Sequence, residues 1–210
     1  MWSFFEYLSC MLFESQIYSL LRILPYWRNK KQKNVLRQHL EMKRRAMPKE
    51  EAESLSTAVV SRLESVPEFQ EGRKIMLYYP IRNEVDVRPL LEAYQDAKVL
   101  LLPVVLKGHK MELRQYTGPE SLKKGRYNIP EPIGERYTGR IDTIIVPGVG
   151  FDRHLHRIGR GGGYYDRFLK KHPEAKKVAV AYDFQIVDNV PVNCFDRKVD
   201  AIITPTTIIR

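Results

Sequence analysis

Residues 141–166 read IDTIIVPGVGFDRHLHRIGRGGGYYD and join a strand pattern to a glycine-rich loop. The run Ile141–Val146, which is rich in β-branched residues, predicts a central strand. The segment Tyr164–Lys171 predicts a helix that begins where the long loop 147–163 ends. A strand, a loop and a helix in this order favour a parallel sheet flanked by helices, with ligands at the carboxyl ends of the strands.

The segments on either side continue this alternation. Upstream, the patterns predict helices over residues 31–46 and from Pro48, then a strand at Lys74–Tyr79 and a helix capped by Asp86. Further strands are predicted at Val99–Pro103, Met111–Tyr116 (antiparallel), Lys177–Ala181 and Val199–Ile203, with a loop over residues 118–139. The sequence therefore predicts a three-layer α/β/α fold, Rossmann-like, with a mostly parallel central sheet in a single domain.

Composition narrows the class of protein. Of the 210 residues, 43% are hydrophobic, which is enough for a buried core. The net charge of +10 favours an anionic partner such as nucleic acid, an acidic membrane surface or a small polyanion. Cys10 and Cys194 have neither metal-ligand nor disulfide spacing and fit a reducing compartment, so we expect a cytoplasmic protein.

Residues 1–29 are predicted to be an N-terminal extension, and residues 30–210 the α/β domain. The extension is apolar and aromatic, but Glu6, Glu14 and Arg22 interrupt it, so no uncharged span reaches the roughly 18 to 20 residues of a membrane helix. We therefore expect no stable membrane insertion, and no secretory signal is predicted. Three interpretations stay open: a docking helix, a peripheral helix on a membrane surface, or upstream sequence included by a wrongly chosen start codon.

The loop at residues 159–163 holds four glycines and one arginine. Glycine lets the backbone turn through positive φ and bring its N–H groups close to a ligand. Together with the Arg160 guanidinium, these N–H groups predict a binding seat for an anion such as phosphate. Tyr164 and Tyr165 offer flat apolar faces beside it, and Asp166 offers an oxygen ligand for a hard cation such as Mg²⁺.

A second candidate carboxylate, Glu84, follows the predicted strand Lys74–Tyr79. It could accept hydrogen bonds from the paired N–H donors of an amino-pyrimidine edge, or it could be a solvated loop acid. The chain has no Walker A loop and no GxSxG elbow, so those nucleotide-binding and hydrolase classes are not indicated. His154 and His156 lack a third ligand nearby and are expected to be exposed loop residues.

Residues 146–152, VPGVGFD, and 157–169, RIGRGGGYYDRFL, resemble the signature of the 5-formyltetrahydrofolate cyclo-ligase family. The Gly-Tyr-Tyr-Asp segment is the most specific part, and the resemblance runs over residues 30–210. Other segments agree with the family in order and spacing: Lys33-xxx-Arg37, Glu84-Val-Asp86, Leu102-Pro103, Ile129-Pro-Glu-Pro132 and Asp196-Arg-Lys-Val-Asp200.

The resemblance implies an ATP- and Mg²⁺-dependent ligase that converts 5-formyltetrahydrofolate to 5,10-methenyltetrahydrofolate. In this family the formyl oxygen is phosphorylated, the N10 amine attacks the activated carbon, and phosphate leaves. The implied partners are two small molecules, 5-formyltetrahydrofolate and ATP, and no nucleic acid is implied. A monomer is expected.

The family's site residues carry over by motif. Arg160 and Tyr164 are implied to be catalytic, and Asp166 and Asp196 to hold Mg²⁺. The ATP-binding residues are implied to be Lys33, Arg37, Arg157, Ile158, Gly159, Arg160, Gly161, Gly162, Gly163, Tyr164 and Tyr165. The folate-binding residues are implied to be Tyr79, Glu84, Arg160, Gly161, Gly162, Gly163 and Tyr164.

Alternatives remain for the protein and for single residues. The chain could be a non-catalytic folate- or nucleotide-binding protein, or a basic nucleic-acid-binding module. Lys33 and Arg37 could form an ordinary basic helix face, and Asp196 could be a turn or capping acid. Leu155 stands where the family usually has glycine, so the loop 152–157 is expected to take another path.

Overall fold

The computed structural model describes residues 29–210. The predictions made for the N-terminal apolar segment fall on residues 1–28 and lie outside this part. The helices are α1 (29–46), α2 (Lys49–Glu64), α3 (Pro67–Gln70), α4 (Arg88–Tyr94) and α5 (Tyr164–Lys171).

Thirteen strands lie in the described part of the chain. They are β1 (Lys74–Met76), β2 (Val99–Leu106), β3 (Lys110–Gln115), β4 (Leu122–Lys124), β5 (Pro130–Pro132), β6 (Arg136–Tyr137), β7 (Thr143–Val146), β8 (Gly150–Asp152), β9 (Arg157–Ile158), β10 (Lys176–Val180), β11 (Ile186–Val187), β12 (Ala201–Ile203) and β13 (Ile208–Ile209).

The main sheet has eight strands in the order β13-β12-β10-β7-β1-β2-β3-β6. The five strands from β12 to β2 are parallel to one another, and β13, β3 and β6 are antiparallel at the edges. Two small sheets, β11-β8-β9 and β4-β5, lie beside it. The predicted mostly parallel α/β sheet is confirmed.

Alternate side chains of the central strands enter two separate cores, as the period of a strand requires. In β10, Val178 packs in the core that includes Leu63 of α2, whereas Ala179 packs in the core that includes Phe168 of α5. All four residues of β7 are buried. Helices therefore cover both faces, and the three-layer prediction holds.

Several predicted boundaries are wrong for tertiary reasons. The strand predicted at Lys74–Tyr79 ends at Met76, and the strand predicted at Val99–Pro103 runs on to Leu106. The additional residues of β2, after Pro103, pair with β3 in a hairpin. Pro103 is tolerated because it lies beyond Leu101, the last residue of β2 that pairs with β1.

The predicted loops contain short strands. Residues 118–139 hold β4, β5 and β6, and residues 147–163 hold β8 and β9. These strands are two or three residues long, so their patterns were too short for a periodic signal. Asp86 was predicted to cap a helix, but α4 begins at Arg88 with Val87 as its N-cap. Asp86 instead accepts hydrogen bonds from both the backbone N–H and the guanidinium of Arg88.

The segment 152–157 is organised by a buried carboxylate. Asp152 is fully buried and accepts hydrogen bonds from the backbone N–H groups of His154, His156 and Val190. Burial alone would raise the pKa of Asp152, but the hydrogen bonds from Val190 and His156 outweigh it and lower the pKa. His156 was predicted to be exposed, yet its ring is half-buried and lies 3.0 Å from this carboxylate.

Leu155 has a φ of 68°, within the left-handed region that glycine adopts most readily. Its backbone carbonyl accepts the N–H of Val199, and its side chain packs against the core on the α5 face. A leucine thus occupies a glycine-type turn here, and its packing offsets part of the backbone cost.

Candidate active site

A cleft of about 1200 Å³ opens at the carboxyl ends of β1, β2 and β7. This is the edge where parallel α/β sheets collect ligands. All residues predicted for the site line it: Lys33, Arg37, Tyr79, Glu84, Arg157, Ile158, Gly159, Arg160, Gly161, Gly162, Gly163, Tyr164, Tyr165, Asp166 and Asp196. The fold brings them together from four regions of the chain, while their individual roles stay predictions.

The glycine loop leads directly into α5. Gly163 is the N-cap of the helix and is left-handed, with a φ of 64°, and Gly161 has a φ of 95°. The first turn of α5 therefore faces the cleft behind a loop that only glycine forms without strain. Backbone N–H groups of a first turn and of such a loop provide donors for an anion.

Helix α1 contributes two basic side chains to this seat. Arg37 donates from Nε to the Gly159 carbonyl at 2.7 Å, and its guanidinium lies under Gly161. Burial lowers the pKa of Arg37, while the charges of Asp196 and Asp166 act in the opposite direction. Lys33 is buried and forms an ion pair with Asp196. These contacts fix α1 against the glycine loop.

Asp166 and Asp196 lie near each other at the base of the seat. Asp166 Oδ1 accepts from Arg157 Nη2 at 2.9 Å and from the Arg197 backbone N–H at 3.3 Å. Asp196 Oδ2 accepts from the Asn193 backbone N–H at 2.6 Å as well as from Lys33. Each carboxylate keeps a second oxygen that accepts no hydrogen bond from residues 29–210.

Four alternating charges form a ring at the other side of the loop. Arg160 donates to Glu41 at 2.9 Å and to Glu84 at 2.8 Å. Arg44 lies 2.8 Å from Glu41 and 3.7 Å from Glu84, so the ring closes. We call these residues, Glu41, Arg44, Glu84 and Arg160, the charge ring.

The turn that presents Glu84 is strained and braced. Arg82 and Asn83 both have positive φ, at 51° and 56°, which is uncommon for residues other than glycine. The Glu84 backbone N–H bonds the Ile81 carbonyl, and the Glu84 carboxylate accepts the Ile81 N–H in return. The Asn83 amide reaches the carbonyls of Arg44 and Met47 at the end of α1. Helix α1 therefore supports this turn directly.

Aromatic side chains line the cleft between these groups. Tyr165 is half-buried; its burial first, and the charge of Glu84 second, raise the pKa of its phenol well above the ordinary value. The Arg157 guanidinium lies 5.6 Å from the Tyr165 ring. Tyr164 is turned outward, with its hydroxyl 3.4 Å from that of Tyr127.

A sequence model of the family described as "5-formyltetrahydrofolate cyclo-ligase family" matches residues 29–205. The chain belongs to the 5-formyltetrahydrofolate cyclo-ligase family.

Relatives of known name agree with this assignment. The Schizosaccharomyces pombe protein named "Probable 5-formyltetrahydrofolate cyclo-ligase" is 33% identical over 75% of this chain and 87% of its own. The mouse 5-formyltetrahydrofolate cyclo-ligase is 30% identical over 81% of this chain and 92% of its own length. The Aquifex aeolicus 5,10-methenyltetrahydrofolate synthetase structure superposes with a TM-score of 0.77 at 40% identity, covering 85% of this chain and 92% of that one.

Sequence reasoning missed part of this family member's cleft. Arg44 and Glu41 were not predicted for the site, although they continue the spacing of Lys33 and Arg37 along one face of α1. That repeat was the available signal. Tyr127 and Phe195, which do line the cleft, are both largely exposed and come from loops that carry no distinctive pattern.

The carboxylate pair fits a magnesium ion held jointly with a nucleotide. Within residues 29–210 no three His, Cys, Asp or Glu side chains are grouped so that they could hold a metal by themselves. Mg²⁺ is usually bound through one or two carboxylates, with substrate phosphates and water completing its shell. Asp166 and Asp196, with one uncommitted oxygen each, meet that requirement.

Helix lengths bear on the membrane prediction. In the described part of the chain, no helix combines the length and the apolar character that crossing a bilayer needs. The cytoplasmic location, the monomeric state and the absence of nucleic acid remain predictions.

Proposed function

We propose that this protein converts 5-formyltetrahydrofolate to 5,10-methenyltetrahydrofolate, with ATP as co-substrate and Mg²⁺ as metal. The observation that carries the proposal is the 2.8 Å contact between Arg160, on the glycine loop, and Glu84, in the turn that follows β1. It joins a phosphate-type seat to a carboxylate suited to a pterin. One cleft therefore has the parts for both substrates.

The nucleotide half is the glycine loop with its basic neighbours. Lys33, Arg37 and Arg157 would hold the triphosphate together with the loop N–H groups. Phosphoryl transfer needs alignment and charge neutralisation more than covalent help from the protein. The loop N–H groups and these cations would supply both, because dipoles and charges that are already oriented need no reorganisation when the ligand arrives.

Asp166 and Asp196 would hold Mg²⁺ beside the phosphates. The ion would supply positive charge against the phosphate oxygens during transfer. Arg157 and Lys33 form ion pairs with these two carboxylates, Asp166 and Asp196 respectively.

The folate half is built around Glu84, whose side chain is only 10% exposed. A carboxylate can accept the paired N–H groups of the pterin ring, and so little exposure makes such bonds selective. Tyr79 and Tyr164 would flank the folate with flat apolar faces. In this arrangement the formyl group would face the glycine loop and Arg160.

The reaction would then run in two steps. The formyl oxygen attacks the γ-phosphorus of ATP, and ADP leaves with the electrons of the broken P–O bond. The N10 amine attacks the activated carbon, loses its proton, and expels the former formyl oxygen as inorganic phosphate. Arg160 would stabilise the negative charge on the transferring phosphoryl group.

Arg160→Ala tests this proposal. We expect ATP-dependent formation of the methenyl chromophore, followed by absorbance, to fall about a hundredfold or more because a transition-state contact is lost. Arg153→Ala, an exposed arginine of the same segment, is the matched control and should keep full activity. Thermal unfolding of both variants should match that of the unmodified protein.

The unmodified protein also decides between the alternatives. Chromophore growth that requires both ATP and Mg²⁺ supports an enzyme. Binding of folate or nucleotide without turnover would instead identify a non-catalytic binding protein. Full activity of Arg160→Ala would remove this arginine from the mechanism.

A further inference from the structure

Arg44 is a deeply buried charged residue that lies behind the cleft and does not line it. It is 1% exposed, and its guanidinium lies within 4 Å of two carboxylates, Glu41 and Glu84. None of its three guanidinium nitrogens makes a well-aligned hydrogen bond with a described residue. Leaving the donors of a buried cation without hydrogen bonds costs free energy. This cost makes it informative to ask what Arg44 does when the charge ring is rearranged.

The two arginines of the charge ring differ in how freely their side chains can move. Arg160 stands on the glycine loop with a side chain that is 33% exposed, so it can rotate towards the cleft. Arg44 is enclosed by the end of α1 and by the turn that carries Glu84, because Asn83 of that turn bonds the Arg44 carbonyl. One cation of the ring can leave, and the other cannot.

Glu84 cannot be left without a cation. Its side chain is 10% exposed, and it now shares Arg160 at 2.8 Å and Arg44 at 3.7 Å. If Arg160 turned to the phosphates, Glu84 would lose its closer partner in a site with little water. An isolated carboxylate there would be strongly unfavourable, so a second cation has to remain beside it.

We infer that Arg44 is a positioning residue that holds Glu84 in place for the pterin while Arg160 engages the phosphates of the nucleotide. This inference rests on the proposed function. In this inference Glu41 holds Arg44 in place, since Glu41 keeps its short contact with Arg44 when Arg160 leaves. The charge ring then links the two substrates through one mobile and one fixed arginine.

Binding measured in two nucleotide states tests the inference. The affinity for 5-formyltetrahydrofolate is determined by titration calorimetry with and without a saturating, non-hydrolysable ATP analogue and Mg²⁺. For Arg44→Met we expect modestly weaker binding without the analogue, because Arg160 still holds Glu84. With the analogue bound, the affinity should fall about tenfold further, since no cation remains beside Glu84.

Two variants serve as controls. Arg45→Met makes the same chemical change at the next, exposed residue of α1 and should behave as the unmodified protein in both states. Arg44→Lys keeps a charge at the ring and should restore most of the affinity in the presence of the analogue. Near-ultraviolet circular dichroism and thermal unfolding report whether each variant is folded. If Arg44→Met does not fold, Arg44→Gln, which can still donate inside the protein, replaces it.

The outcomes separate the possible failures. An equal loss of folate affinity in both nucleotide states, or no rescue by lysine, would assign Arg44 a structural role only and overturn the inference. Folate binding as in the unmodified protein would overturn it as well. If the unmodified protein binds neither folate nor the analogue, the proposed function itself fails and the inference fails with it.

Discussion

At the scale of single residues, the anion seat depends on backbone positions that a side chain would disturb. Gly161 has a φ of 95°, and a methyl group added there would sit 3.5 Å from the Arg37 guanidinium. The residue thus combines a left-handed backbone with close approach to a cation of the seat. Both features would change on substitution, and both belong to the proposed nucleotide half.

Gly161→Ala should therefore damage activity more than stability. The backbone strain costs about 1–2 kcal/mol, and the shifted loop should lower turnover about tenfold to a hundredfold because the phosphates are misplaced. Steady-state kinetics with varied ATP and urea unfolding measure the two effects.

Gly108→Ala is the matched control for this substitution. Gly108 also has positive φ, at 71°, but an added methyl group would meet nothing within 4 Å. The Gly108→Ala protein should lose about as much stability as the Gly161→Ala protein, but it should keep its turnover number. Equal loss of turnover in both variants would show that strain alone, and not the seat, explains the effect.

At the scale of elements, helix α1 is the part that completes the site. Its inner face carries Lys33 and Arg37 into the cleft, and Glu41 and Arg44 into the charge ring. Leu40, which is 2% exposed, packs the helix against Val149, Ile158 and Val190. Gly150 makes this contact close, since a methyl group there would lie 2.4 Å from Leu40. The small apolar cluster therefore sets the position of the charged residues.

Leu40→Ala should loosen α1 and weaken the site. A cavity in such a cluster costs about 2–4 kcal/mol, and KM for ATP should rise because Lys33 and Arg37 lose their fixed positions. Met42→Ala, a change of similar kind at a side chain that is 63% exposed, should alter neither quantity. Urea unfolding and KM determination are the measurements. An unchanged KM in a destabilised Leu40→Ala protein would separate α1 from nucleotide binding.

At the scale of the whole molecule, the distribution of charge matches the proposed substrates. The chain carries a net charge of +10. Among the described residues that line the cleft, nine are lysine or arginine and four are aspartate or glutamate. Such a cleft concentrates a positive potential where ATP and folate, both anions, would enter. The cleft therefore accounts for part of the basic excess of the chain.

Salt should consequently weaken substrate capture. Raising the ionic strength from about 0.05 M to 0.5 M shortens the screening distance from about 14 Å to about 4 Å, so KM for ATP should rise severalfold. The turnover number should change little, because contacts within the filled cleft are shielded from solvent. A KM that is independent of salt would contradict the electrostatic account, and thermal unfolding at each salt concentration controls for stability.

Local patterns in the sequence were sufficient for the fold class and for the glycine loop, whereas the roles of Lys33, Arg37 and Asp196 came only from the resemblance to the family. The apolar run at Ile141–Val146 and its neighbours predicted parallel strands because burial on both faces leaves a continuous apolar signature. The glycine loop predicted an anion seat because its chemistry lies within eight consecutive residues. The sequence did not predict short strands such as β8 and β9, or the part of β2 after Pro103. These segments become strands because they pair with distant segments, and not because of a local pattern.

The sequence by itself determined the glycine loop, its backbone freedom and the basic and acidic side chains next to it. Only the tertiary structure decided that Arg44 and Glu41 stand against Glu84 and Arg160, which are separated from α1 by about 40 to 120 residues. The physical reason is that periodicity reports which face of an element is apolar, whereas ion pairs between elements depend on how those elements pack. The charge ring exists because Leu40 seats α1 on the small sheet, and no stretch of sequence records that contact.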